Sequence, residues 1–430
     1  MTAPSPVIAH YHEAFERLRP SLRGSPARRA AAFARFSELG FPAPREEAWK
    51  YTSLRRLEAR RFAPDEPGGA TASNVPDALV THRLLVTNGR LSTEPPVHLA
   101  GFALRTLEAR PDPGADDTLL REIAGLGTER FAALNAALTV EPLLLEMAAG
   151  SASDEVLQLT LHTAGAGPTL ANPRIVVRMG AGSRGRLLVE HTDDGSANEH
   201  FSNVVLDVQL AAGADLTVYR LHRPGNRAFH IERVEARVGE RARFVMRDSQ
   251  LGGSLSRLDL HVSLDGRGAS TEVTGVFLAD GTRHLDTHAL VEHRAVETTS
   301  LQDYRGVAAN KGRGVFNGKS IVHEGAQKSN ARQVNRNLLL TPGAEIDTKP
   351  DLEIYADDVQ CSHGATTGQL DPAAMFYLRS RGLDEAQARS ALTRAFAGAV
   401  LSKVDDPTLS GFVHDVLDAR LARLLDEVGE

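Results

Sequence analysis

Cysteine is almost missing: Cys361 is the only one in 430 residues. A disulfide framework within the chain is excluded, and so is a closed zinc or iron-sulfur cage built from Cys-x-x-Cys pairs. A lone thiol fits a reducing compartment, and a cytoplasmic protein is expected. No apolar run approaches the roughly 18 to 20 residues that span a bilayer, so no membrane partner is expected. The first turn-lengths carry His10, Glu13 and Glu16 where a secretory signal needs apolar residues, which reads as an unexported chain. The net charge of -6 lacks the basic excess of a nucleic-acid binder. There is no Gly-x-x-x-x-Gly-Lys-(Ser/Thr) phosphate loop, so the chain is not expected to hydrolyse ATP, and no Gly-x-Ser-x-Gly elbow. Tryptophan occurs once, in the Trp49, Lys50, Tyr51 cluster, which reads as packing of the N-terminal region.

What is present is aliphatic and rich in glycine, a composition that favours β structure with tight turns. The first 60 residues nevertheless read as helical. Ser25 is an N-cap, Pro26 fits the first helical position, Ala30, Phe33, Phe36 and Leu39 form a stripe, and Gly40 follows; these predict a helix over 26–39. Residues 64–76 read as a linker. Arg83 to Thr87 reads as a strand and Asp117 to Leu138 has helical spacing. From Ser151 the pattern turns to short alternating runs, such as Val204, Leu206, Val208, Leu210 and Leu258, Leu260, Val262, Leu264, which predict half-buried strands. Gly213-Ala214, Gly239-Glu240, Gly268-Ala269, Gly314-Val315 and Gly343-Ala344 recur mostly at about 26 to 31 residues, one interval being longer. Both a β-solenoid and a two-sheet sandwich produce such runs; the strand number, the repeat length and the scarcity of Asn-Gly hairpin turns favour a β-helix.

The exposed ends of a β-helix need caps, which flanking helices can supply. Asp371 with Pro372 opens a helix ending near Gly382, Asp384 and Gln387 form a capping box, and a last amphipathic helix runs from about Pro407 to Val428. The expected division is 1–80 helical, 81–150 mixed α/β, 151–365 parallel β-helix and 366–430 helical.

Three constellations carry possible chemistry. Cys361 and His363 are both soft-metal ligands but too few to close a site, so a second chain must complete anything they hold; read as structure, Cys361 is a small buried hydrophobe and His363 a loop residue. His284, Asp286 and His288 share one strand face, as a metal site or as a polar ladder. Asp347, Lys349, Asp351 and Glu353 alternate in the same way, followed by Asp357 and Asp358. In a β-helix carbohydrate lyase such residues hold calcium and abstract a proton, which gives the alternative function.

The runs FNGKSIV from Phe316, AQKSNARQVNRNLLL from Ala326, KPDLEIYADDVQCSHGAT from Lys349 and FYLRSRG from Phe376, with REEAWKYTSL from Arg45, resemble the SufB/SufD family of iron-sulfur cluster assembly scaffolds over nearly the whole chain. Within it, CSHGAT and the absence of cysteine from Thr341 to Thr348 resemble the SufD branch; SufB is usually longer and richer in cysteine. The resemblance implies a right-handed parallel β-helix between helical domains, a non-catalytic scaffold pairing with SufB and docking the SufC ATPase through its C-terminal helices, where Phe376, Tyr377, Leu378, Arg379 and Arg381 fall. It also places His363, with Cys361 beside it, at the SufB interface, sharing a transient cluster that the isolated chain does not hold stably. Flavin binding is not decided by the sequence.

Overall fold

The computed structural model describes residues 5–43, 45–64, 79–80, 82–92, 98–106, 129–195, 198–400, 404 and 406–429. Most of the predicted linker, 65–76, and the first part of the 117–138 helical stretch lie outside them; a helix is present at Glu129–Leu138.

The chain shuttles between two facing sheets, and from residue 174 onward the strands pair in parallel with the strand two places further on. This next-but-one pairing is what separates a β-helix from a sandwich, whose hairpins and Greek keys join antiparallel neighbours. One sheet includes His200–Leu210, Phe229–Val238, Leu255–Leu264, His284–His293, Arg313–Val322 and ends on Glu345–Ile354. The other includes Arg184–Asp193, Asp215–His222, Arg243–Gln250, Ser270–Ala279, Thr299–Ala308, Asn330–Leu339 and ends on Gln360–Gly368.

The coils stack through a column of turns. Gly182, Gly213, Arg241, Gly268, Glu297 and Lys328 all adopt positive φ. Each donates its backbone N–H to the corresponding turn of the next coil, as from Gly213 to Glu240 and from Glu297 to Gln327. Of the glycine pairs that suggested a repeat, Gly213 and Gly268 sit in this column. Gly314 instead faces the interior, where a Cβ would lie 2.4 Å from Phe277, and Gly239 and Gly343 press on neighbouring carbonyls. The period is real, but three of its six turn positions are filled by residues that pay the left-handed conformation without glycine.

Alternate side chains line the interior, among them Leu216, Val218, Phe244, Met246, Leu260 and Val262. The expectation of half-buried strands fails on both sheets because other elements cover the outer faces. Helices Pro6–Leu18, Pro26–Leu39 and Glu129–Leu138 pack Tyr11, Phe33, Phe36 and Phe131 onto Phe201, Phe229 and Ile231. The helix at 26–39 has its predicted bounds, with the Ser25 hydroxyl accepting from Arg28 N–H. Arg29 reaches across to the carbonyls of Ala136, Ala137 and Thr139, satisfying the carboxyl end of the 129–138 helix. On the other sheet, Leu409, Val413, Leu417 and Leu421 of helix Pro407–Gly429 cover Tyr219, Leu221, Val276 and Leu278. Among the described residues no helix is long and apolar enough to cross a membrane.

Burial leaves a pH signature. His293 is buried between Thr298 and Ser300, and desolvation brings its pKa down to about 4. The unfolded chain takes up this proton near pH 6.5 and the folded chain does not, so this contribution to stability is present above pH 6.5 and is lost as pH falls toward 4. Urea unfolding at pH 7 and pH 5 is expected to show His293→Asn losing about 2 kcal/mol less than wild type over that interval; equal losses would contradict the assignment.

Candidate functional site at the open end of the β-helix

The two ends of the β-helix differ. At the amino-terminal end the sheets finish in short antiparallel pairings, Ala103–Thr106 against Leu143–Met147 and Arg90–Leu91 against Arg83–Thr87. At the other end, Glu345–Ile354 and Gln360–Gly368 each pair on one side only among the described residues. Two adjacent strand edges of ten and nine residues therefore lie open, with Ile354 and Tyr355 exposed beside them. Long uncovered edges are templates for another chain.

Backbone polarity distinguishes the two edges. Glu345 N–H donates to Gly312, so along this strand odd residues face the neighbouring coil and even residues face outward. Pro350 is an outward position, where it blunts pairing without costing the ladder a bond. On the other strand Gln360 N–H donates to Ser329, which turns the backbone groups of 361, 363, 365 and 367 outward, and none of these is proline.

Cys361 and His363 sit on this second strand, in register with the inward-facing Ala331 and Gln333 of the preceding coil. Both side chains thus share the face that looks into the mouth of the β-helix. Cys361 is half-buried against Val322, Ala326, Ala356 and Val359, and burial pushes its thiol up, opposed by a hydrogen bond from the Ala331 backbone. His363 is exposed. No third histidine or acidic group joins the pair among the described residues.

The other candidates have partners of their own. His284 and Asp286 hold the Thr52 hydroxyl at 2.8 and 2.5 Å, Asp286 also takes Arg257 at 3.1 Å, and His288 lies 3.1 Å from Asp286. This is a polar ladder pinning the 47–58 segment to the sheet, and Trp49 completes it by stacking under Arg257 at 3.9 Å. Asp347 pairs with Arg313, Lys349 with Glu47, and Asp351 and Glu353 with Lys319, so this outer row is a chain of ion pairs.

At the carboxyl side, Asp371 caps helix Pro372–Ser380 and the Asp384–Gln387 capping box opens Glu385–Gly398, both as predicted. No residue of the first helix is buried. Phe376 and Tyr377 are exposed, Arg381 stacks on Tyr377, Arg379 lies near Glu385 and Leu378 is half-buried.

The profile described as "SUF system FeS cluster assembly, SufBD core domain" matches residues 161–396, which contain most of the β-helix and both open edges. The chain belongs to the SufBD family. It is 30% identical to the iron-sulfur cluster assembly SufBD family protein slr0076 of Synechocystis, over 91% of this chain and 90% of the relative. It is 29% identical to the iron-sulfur cluster assembly protein SufD of Escherichia coli, over 89% and 90%. With the chloroplastic protein ABCI7 of Arabidopsis thaliana it shares 32% identity over 54% of this chain and 50% of the relative. Family membership makes this SufBD chain an iron-sulfur cluster assembly protein.

One group escaped the sequence reading. His191, His230 and Glu232 converge inside the β-helix, next to His222 and Arg220. Their signal was parity: Arg220 and His222 continue the inward series Leu216 and Val218 along one strand, so two polar residues stood in core positions.

Proposed function

We propose that this chain is the SufD-type subunit of a SUF assembly. Its open β-helix end pairs with a SufB-type paralogue, its C-terminal helical domain docks a SufC-type ATPase, and His363, with Cys361 as its neighbour, supplies ligation for a nascent cluster completed by the partner. The observation that carries this is the pair of long strand edges that stay open among the described residues at the carboxyl-terminal end, with a thiol and an imidazole facing the mouth between them. Two ligands do not close an iron-sulfur site, and incomplete ligation suits cargo that must be released. The exposed Phe376 and Tyr377, on a helix none of whose residues is fully buried, are the apolar anchors offered to the ATPase. On this reading residues 1–80 and 81–150 brace and close one end of the core at 151–365, 366–430 form the docking domain, and the subunit itself is a non-catalytic cytoplasmic scaffold. It holds no resident cofactor for this role.

The experiment is co-expression with a SufB-type paralogue and a SufC-type ATPase, followed by size-exclusion chromatography and anaerobic cluster reconstitution. A stable three-component complex is expected. His363→Ala is expected to leave the complex intact and reduce cluster formation at least tenfold. Unchanged cluster formation removes the role given to His363, whereas failure of any complex to form removes the partner assignment.

A further inference from the structure

Inside the β-helix, three strands bring three imidazoles together. His191 comes from Arg184–Asp193, His222 from the adjacent Asp215–His222 in direct register with it, and His230 from Phe229–Val238 on the facing sheet. Ring centroids lie 4.3 Å apart for His222 and His230, 4.8 Å for His191 and His230, and 5.7 Å for His191 and His222. Glu232 enters from the strand of His230, its Oε2 lying 3.1 Å from His230 Nε2 and 3.3 Å from His191 Nε2. All four side chains are buried.

As a purely structural network this group is poorly satisfied. Both ring nitrogens of His222 lack a hydrogen-bond partner, as does Glu232 Oε1, although buried polar atoms in proteins are nearly always paired. Desolvation pushes the imidazoles of His222 and His230 down from their ordinary range. The charges do not balance either. Arg220 donates to Glu232 Oε2 at 2.6 Å and to Asp248 Oδ1 at 2.7 Å, so one guanidinium faces two carboxylates. It bonds the same Glu232 oxygen that faces His191 and His230 and leaves Oε1 without a partner. Arg220 also approaches His230 Nε2 at 3.3 Å, a contact that a metal must displace.

We propose that His191, His222, His230 and Glu232 form a resident binding site for a divalent first-row transition metal within the β-helix. Three imidazoles and one carboxylate suit zinc, iron(II) or cobalt(II) rather than calcium or magnesium, which take oxygen ligands. The strand of His222 is five pairings from Gln360–Gly368, about 24 Å at the usual strand spacing, so the site is separate from the open end. Because it is enclosed, loading accompanies folding.

The test is to unfold the full chain in urea with a chelator, refold it with one equivalent of Co²⁺, desalt it, and measure bound metal and the visible spectrum. About one cobalt per chain with tetrahedral ligand-field bands is expected. His222→Ala and Glu232→Gln are expected to lower retained cobalt at least tenfold. A Cys361→Ala/His363→Ala double variant, which leaves the interior untouched, is expected to keep both metal and spectrum; this separates the site from the proposed cluster interface even if the interior variants do not refold. No retained cobalt in the refolded wild type overturns the proposal, as does loss of cobalt in the double variant.

Discussion

An Ala365→Pro chain is expected to fold normally and to lose its paralogous partner. Residue 365 lies on the open edge of Gln360–Gly368 with its N–H turned away from the preceding coil, so proline there removes no bond of the folded monomer. The residue before it is Gly364, which relieves the clash that proline imposes on a preceding side chain. A partner strand adding to this edge would lose a donor and meet the ring. The cost should be about 3 kcal/mol, which is about a 100-fold loss of affinity. Thermal unfolding of the free variant should stay close to wild type while its binding to the SufB-type partner, measured by calorimetry, weakens by that factor. Equal affinities would show that this edge is not the interface. The same substitution in the other open strand should matter less, because Pro350 already interrupts it.

Arg257→Ala is expected to be among the most destabilising single changes in the molecule. Arg257 is fully buried, bonds Asp259 and Asp286, donates to the Ala48 carbonyl and lies over Trp49. Burial alone would raise the Asp286 carboxyl; His288 and Arg257 overcome it and hold the group well below the ordinary range. Removing the guanidinium strands two buried carboxylates and cuts the tie between the 47–58 segment and the sheet, which should cost about 3–5 kcal/mol in urea unfolding. A loss under about 1 kcal/mol would mean that the ladder is decorative. Exchanging Arg257 for leucine together with Asp259 and Asp286 for apolar residues should recover much of the loss, since a charged network removed whole leaves no orphan.

These two expectations also mark how far the sequence could be read. Local chemistry was legible: Ser25, Gly40, Asp371 and the Asp384–Gln387 box each fix a helix end through contacts within a few residues. The β-helix was legible from period and strand number, but its turns were partly hidden because Arg241, Glu297 and Lys328 occupy positions where glycine was sought. The burial of the strands' outer faces was not legible at all. Arg257 and His284 lie on strands expected to be half-buried, and nothing local announces that residues some two hundred positions earlier, Ala48 and Thr52, will bond to them. For the site, Cys361 and His363 were singled out as a soft-ligand pair two residues apart, whereas the strand that carries both on one face, and the open edges around them, are properties of where the coils stop. The interior histidines were missed because strand parity has to be carried from the apolar part of each strand into its polar part.

The central claim is that the open end of the β-helix is where a SufB-type paralogue pairs, and hydrogen exchange on the isolated chain and on the co-expressed complex tests it most directly. Fast exchange is expected at the outward amides of 361, 363, 365 and 367 in the free chain, with slowing of at least about 100-fold, equivalent to about 2.7 kcal/mol, on complex formation. Protection confined to other surfaces, with these amides still exchanging freely in the complex, would contradict it.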